Sequence, residues 1–241
     1  MRRVLITGAG QGLGLEFTRQ CLQRGDQVFA GVRSSSRRDD LDRLGVDHPG
    51  KLSVVMIEVT DGDSLEAARG EVQERAGALD LLINNAGIGH TSRDAGDRRA
   101  HTSFGSLSAD KMLQVFRVNT IAPVIVTQIF HPLLERGTRP VVVQITSALG
   151  SLSAWSPGGS YSYDASKAAL NMMNLHLAQD LRSKGIVAVA IHPGWVRTDM
   201  GGPNAPLTAE ESVGGMLEVI DNLTMEDAGR FLQWNGTEHP W

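Results

Sequence analysis

Six short apolar runs punctuate this chain, at residues 3–6, 27–32, 52–59, 79–84, 140–146 and 186–192. They are strand-length, rich in Val, Ile and Leu, and mostly continuous rather than alternating, which is the pattern of strands covered on both faces. Longer segments lie between them, with apolar residues returning every three or four positions. Leu13, Phe17 and Cys21 share one such stripe, Leu65, Ala68 and Val72 another, and Ala169, Met173, Leu177 and Leu181 a third in a long later helix. Strands separated by helices predict right-handed βαβ units and a parallel sheet. The expected architecture is therefore α/β: one domain over residues 1–241, with a doubly wound parallel sheet of about seven strands and helices on both faces. Two irregular stretches, 89–108 and 201–208, are too long or too rich in Gly and Pro for simple connections and are expected as surface loops near a site.

Composition narrows the chemistry mainly by exclusion. With 41% apolar and 21% charged residues and a formal net charge of −4, the chain reads as an ordinary globular protein with no electrostatic case for nucleic-acid binding. The longest apolar stretches are read as strand-sized, so no membrane span is expected. Cys21 is the single cysteine, which excludes an intrachain disulfide and a thiolate metal cluster, and the histidines show no metal spacing. The first strand follows Met1 without room for a signal sequence, so a cytoplasmic location is the expectation.

Between the first strand and first helix runs Thr7-Gly8-Ala9-Gly10-Gln11-Gly12-Leu13-Gly14. Glycines there allow a tight turn and let backbone amides approach a pyrophosphate at the helix N-terminus, where the dipole favours anions. The spacing T-G-x-x-x-G-x-G, through Gly8, Gly12 and Gly14, fits; G-x-G-x-x-G does not, because Leu13 stands where its third glycine would be. A Rossmann dinucleotide fold follows. At the end of the second strand no acid awaits a ribose 2′-hydroxyl. Instead come Arg33, three serines, Arg37 and Arg38, groups that bind a 2′-phosphate, so NADP(H) is the expected cofactor, with NAD(H) as the other choice.

Tyr163 has Lys167 four residues on, which places both on one face of a helix. A phenol with a pKa near 10 is a poor base at neutral pH, and an ammonium beside it would lower that value. Tyr161 has Ala165 at the same offset and reads as packing or pocket wall. The buried strand before this helix ends at Ser147. The glycine loop, Ser147 and the Tyr163 helix all belong at the carboxyl edge of the sheet, where open α/β sheets bind ligands.

With these motifs the chain resembles the short-chain dehydrogenase/reductase family. The resemblance extends through Asn84-Asn85-Ala86-Gly87, Asn119, Ser147, Tyr163 and Lys167 to the run from His192-Pro193-Gly194 to Met200. The gap between Ser147 and Tyr163, the segment 201–206 and the ending Gly236-Thr237-Glu238-His239-Pro240-Trp241 resemble a narrower branch, the C-factor and sniffer type of carbonyl reductase-like proteins.

The resemblance implies roles. Tyr163 is the acid/base; Ser147 holds the carbonyl oxygen; Lys167 binds the nicotinamide ribose; Asn119 holds a water linking Lys167 to solvent. Asn85 braces the sheet, Ala86 and Gly87 line the cofactor, Pro193 and Gly194 shape the nicotinamide side, and Thr198 meets the carboxamide or pyrophosphate. Gln11, Leu13, Val59 and Val196 are further cofactor contacts. Where the family usually has aspartate for the adenine, this chain has Glu58, which keeps the charge on a longer arm and is carried over as the adenine contact, with Asp61 or backbone as the alternatives. The function implied is hydride transfer between NADP(H) and a carbonyl or secondary alcohol by a homodimer or homotetramer. The alternative is an NAD(P)-binding signalling or regulatory protein of the same fold with little turnover.

Overall fold

The computed structural model describes residues 1–33, 38–89, 104–156 and 159–241. In chain order β1 (Arg3–Thr7), α1 (Gly12–Gln23), β2 (Gln27–Val32), α2 (Asp39–Asp47), β3 (Leu52–Met56), α3 (Gly62–Ala76) and β4 (Leu81–Asn84) form the first half. There follow α4 (Ala109–Phe116), α5 (Ala122–Leu134), β5 (Val141–Ile145), α6 (Tyr161–Arg182), β6 (Val187–His192), α7 (Ala209–Asn222) and β7 (Phe231–Gln233). The strands make one parallel sheet in the order β3-β2-β1-β4-β5-β6-β7. The order reverses between β1 and β4, and such a switch point opens a crevice at the carboxyl ends of the strands.

Alternate residues of each strand feed opposite cores. Val4, Ile6, Val143 and Ile191 pack under Phe17 of α1 and Met216 and Ile220 of α7, whereas Leu5, Leu82 and Val142 pack under Leu65 of α3, Phe130 of α5 and Leu181 of α6. At the opposite edge of the sheet the Asp80 carboxylate accepts from Arg3 N (2.8 Å), Arg3 Nη2 (2.6 Å) and Thr138 N (2.7 Å), fixing the starts of β1 and β5 relative to β4.

The doubly wound parallel sheet and its seven strands stand as expected, with differences in detail. β3 ends three residues earlier than the expected 52–59 and β4 starts two later than 79–84. The seventh strand, β7, is three residues long and gives no apolar run to detect. The stripe Ala169–Met173–Leu177–Leu181 is only partly the buried face of α6: Leu181 is in the core and Leu177 packs against it, but Met173 is 40% exposed. Towards its start the helix buries Ser166, Lys167, Leu170, Asn171 and Asn174. A polar row there serves the site rather than the core.

The reading that no stretch could span a membrane also needs correction. Ala109–Leu134, 26 residues, is long and apolar enough by length and composition. It consists of α4 and α5 joined by a π turn, and Phe130 and Leu133 are fully buried in the protein, as in a core helix. Residues 34–37 of the basic turn, and 90–103 of the expected loop, lie outside the described residues.

Candidate active site

The chain leaves β1 through Gly8 (φ +67°) and enters α1 at Gly12 (φ +53°), left-handed positions that favour glycine. Gly14 is required for a different reason. A Cβ there would stand 2.2 Å from the Gly8 carbonyl oxygen and 2.6 Å from Asn85 Nδ2, so α1 presses directly on the loop. Asn85 Nδ2 donates to Thr7 O (2.9 Å) and Gly8 O (3.2 Å), while Thr7 Oγ1 accepts from the backbone amides of Asn85 and Ala86. Asn85 and Thr7 thus stitch the glycine loop to the end of β4.

Gln11, extended at the start of α1, provides no side-chain cap, and the first turn carries no acidic residue. Its amides, together with the positive end of the dipole, suit an anion. The Thr198 methyl lies 3.6 Å from where a Gly12 Cβ would be, so the segment after β6 roofs the loop. These residues fit a dinucleotide pyrophosphate.

Arg33 directly follows β2 and is exposed. Glu58 and Asp61 face their own loop. Glu58 Oε1 accepts from Thr60 N (3.2 Å) and Oγ1 (2.9 Å), and Asp61 caps α3 by accepting from Asp63 N (3.0 Å) and Ser64 N (3.4 Å).

Ser147 follows β5. Its Oγ accepts from Leu149 N (3.2 Å), capping the short turn Ala148–Gly150, and the same side chain is hydrogen-bonded to Tyr163. Tyr163 is the third residue of α6, and its amide donates to the Ser160 cap (3.5 Å). Lys167, one turn on and only 5% exposed, donates from Nζ to Ile145 O (2.8 Å) and lies 5.9 Å from the centre of the Tyr163 ring.

The Tyr163 pKa is raised, not lowered as expected. Desolvation pushes the phenol up to about 12 against the opposing pull of the Ser147 hydrogen bond, with Asp164 adding to the rise. Burial lowers Lys167 to about 8. The physical reason is burial, which disfavours the charged form of each group, the phenolate of Tyr163 and the ammonium of Lys167.

Asn119 sits in the π turn Arg117–Ile121, where Ala122 N reaches back five residues to Arg117 O. Its side chain is wholly buried, with Nδ2 donating to Ile88 O (2.8 Å) and Ser166 Oγ (3.2 Å) and Oδ1 accepting from Ile88 N (2.8 Å). A Cβ on Gly87 would lie 3.4 Å from Asn119 Oδ1 and 3.8 Å from Lys167 Nζ, so Gly87 leaves a hollow beside the lysine. Across the crevice, Gly194 (φ +84°) follows Pro193, whose carbonyl accepts from Ser212 Oγ (2.6 Å). A Gly194 Cβ would lie 2.4 Å from Leu207 Cδ1 and 3.1 Å from Trp234 Cδ1. Val196 pairs with Leu207, which ties down the segment 201–208.

The structure therefore brings Gly8, Gly12, Gly14, Asn85, Ala86, Gly87, Asn119, Ser147, Tyr163, Lys167, Gly194 and Thr198 to one edge. It leaves Tyr161 outside, 53% exposed. Residues that the sequence reading missed are Ser166, Thr146, Asn171 and Trp234. For Ser166 and Asn171 the available signal is a small polar residue beside Lys167 and another one helical turn after it. Among the described residues no group of His, Cys, Asp or Glu is placed to hold a metal.

The model of the short chain dehydrogenase family matches residues 2–207. The chain belongs to this family. As a short-chain dehydrogenase it is similar to C-signal of Myxococcus xanthus, 45% identical over 165 residues, which are 68% of this chain and 94% of that protein. Among solved structures, NADPH-bound carbonyl reductase from chicken fatty liver superposes with a TM-score of 0.91 at 38% identity, covering 100% of this chain and 99% of that one. Carbonyl reductase Sniffer of D. melanogaster gives 0.92 at 28% identity, with both chains fully covered. The chain shares their fold and is a dehydrogenase of the C-factor and sniffer-like kind.

Proposed function

We propose that this short-chain dehydrogenase is an NADP(H)-dependent oxidoreductase that moves a hydride between nicotinamide and a carbonyl or secondary alcohol, with Tyr163 as the acid/base. The observation that carries the reading is the chain Ser147–Tyr163–Lys167 at the carboxyl edge, beside a glycine loop whose helix start suits a pyrophosphate. Bound NADPH supplies the hydride. Ser147 donates to the carbonyl oxygen and stabilises the charge that develops on it. The Tyr163 phenol gives that oxygen its proton. With a pKa of about 12 it is held protonated at neutral pH, the form that reduction needs. Lys167, anchored on Ile145 O, holds the ribose and stabilises the phenolate left behind. Arg33 faces the 2′-phosphate, and the NADPH-bound carbonyl reductase at 38% identity supports that choice of cofactor.

The test is steady-state oxidation of NADPH and of NADH with a panel of aldehydes, ketones and quinones. Carbonyl-dependent turnover faster with NADPH is the expected result, and none with any carbonyl or alcohol would refute the reading. The likeness to C-signal favours a second reading, a protein that binds NADP(H) and acts through partners with little turnover. The same assay separates the two. The exposed apolar residues Leu113 and Ile121 on the α4–α5 helices and Met172 and Met173 on α6 support assembly as a homo-oligomer through these surfaces, which light scattering checks.

A further inference from the structure

After β7 the chain turns at Asn235 and Gly236 and runs back along the outer edge of that strand. Gln233 N donates to Thr237 O and His239 N to Phe231 O, each at 2.8 Å. This return brings residues 239 and 241 against two different loops of the active site.

The Trp241 backbone oxygen accepts from Ser153 N (2.7 Å), Ser151 Oγ (3.1 Å) and Ser153 Oγ. Its ring is seated 5.3 Å from the ring of Phe231. The segment so held begins at Ser147. Its other side is held by Asn171, whose Nδ2 donates to Gly150 O (3.2 Å), and by the backbone of Lys167, which would lie 2.8 Å from a Gly150 Cβ. The residues that follow Ser147 are thus clamped at Gly150 from α6 and at Ser151 and Ser153 from Trp241.

His239 works on the opposite loop. Its ring meets Phe231 edge-on at 4.8 Å and His192 at 5.6 Å. His192 Nδ1 in turn accepts from Gly194 N (3.4 Å), in the turn on the nicotinamide side. Among the described residues neither His239 ring nitrogen has a hydrogen-bond partner, so the ring acts through packing.

We infer that residues 237–241 form a positioning strap, in which Trp241 fixes the Ser147 loop for proton transfer and His239 fixes the His192–Gly194 turn for cofactor binding. Neither residue touches the reacting atoms. This inference rests on the oxidoreductase reading for its kinetic consequence but not for its structural one. Two segments that would otherwise carry independent errors are referred to one rigid edge strand, and misplacement by about an ångström is enough to cost two orders of magnitude in rate.

The test combines hydrogen exchange of the cofactor-free protein with kinetics on Trp241→Ala, Trp241→Phe, His239→Ala and His239→Phe. Ser153→Ala serves as a milder variant should Trp241→Ala fold poorly. For Trp241→Ala the expected result is exchange about tenfold faster in residues 148–156 alone, with kcat reduced at least tenfold, NADPH Kd unchanged, and both effects reversed in Trp241→Phe. For His239→Ala it is weaker NADPH binding, restored in His239→Phe. Exchange in 148–156 that does not change would overturn the inference. So would faster exchange with kcat and KM unaltered, or losses that only follow a general fall in Tm. Absence of turnover in the unmutated protein would instead strike the oxidoreductase reading, and the exchange and NADPH-binding measurements would still decide whether the strap exists.

Discussion

Asn119 and Ile88 are joined twice, each through a 2.8 Å hydrogen bond: the Asn119 amide donates to the Ile88 carbonyl oxygen, and its Oδ1 accepts from the Ile88 amide. A side chain here closes both backbone groups of a residue that has left β4 and lost its strand partners. Only a carboxamide offers a donor and an acceptor side by side in this way. Asn119→Asp keeps the size but sets a carboxylate oxygen against the Ile88 carbonyl. The expected cost is about 1–3 kcal/mol of stability, since a buried carbonyl loses its donor. Urea unfolding measures it; a loss below half a kcal/mol would show that the pairing is dispensable.

Two glycine-to-alanine substitutions should act in opposite directions. Gly70 lies exposed in α3 with nothing within 4 Å of a Cβ, so Gly70→Ala should stabilise by about 0.5–1 kcal/mol through helix propensity. Gly14 is also helical, but its Cβ would meet Gly8 O at 2.2 Å, a backbone atom that cannot swing away. Gly14→Ala should destabilise and weaken NADPH binding more than tenfold. Thermal unfolding and cofactor titration on the pair check both signs.

The choice of cofactor rests on charge at the end of β2. Arg33→Asp should raise the NADPH Kd by roughly ten- to a hundredfold, the value of a lost charge-assisted hydrogen bond, and leave NADH nearly unaffected. Equal affinities of the unmutated protein for the two cofactors would remove the basis for this expectation.

Much of this arrangement is legible in the sequence, and the illegible parts share a physical cause. β1, β2, β5 and β6 are nearly continuous apolar runs because both faces are covered, and the glycine loop announces itself by composition. Ser147, Tyr163 and Lys167 can be placed because a strand end and a four-residue helical offset are local quantities. β7 escapes because three residues between Gly229 and Gly236 carry no periodicity. The first half of the buried face of α6 escapes because most of its residues are polar, so apolar periodicity selects Met173, on the exposed side, and finds only Leu181 of the buried ones. The rise of the Tyr163 pKa escapes because spacing places Lys167 on the same face but says nothing of how deeply the phenol is buried. The paired hydrogen bonds of Asn119 with Ile88 and the return of residues 237–241 are tertiary events, with no trace in local pattern.

Acid should destabilise the protein through His192. Burial, aided by the neighbouring His239, lowers its pKa to about 4, against a usual value of 6.5, so the folded state holds a neutral imidazole where the unfolded chain takes up a proton. Its share of stability is therefore fully present above pH 6.5 and lost as the pH falls towards 4. Between pH 7 and pH 5 the loss amounts to as much as about 2 kcal/mol at 1.36 kcal/mol per pH unit. His192→Gln should flatten this part of the profile. Urea midpoints at the two pH values test it, and an equal acid loss in the variant would contradict the assignment.

The central claim is that Tyr163 delivers the proton. Tyr163→Phe removes one hydroxyl and its hydrogen bond to Ser147 while leaving the ring in place beside Lys167. General acid catalysis contributes about 10²–10⁴-fold, so turnover of a good carbonyl substrate should fall by at least that factor. Binding of NADPH should persist, and Tyr161→Phe, on an exposed ring with no lysine beside it, should have a much smaller effect. The decisive measurement is kcat for NADPH-dependent carbonyl reduction by Tyr163→Phe, with the NADPH Kd determined on the same preparation. Loss of turnover with retained binding is the expected result. Reduction at near the original rate would contradict the assignment.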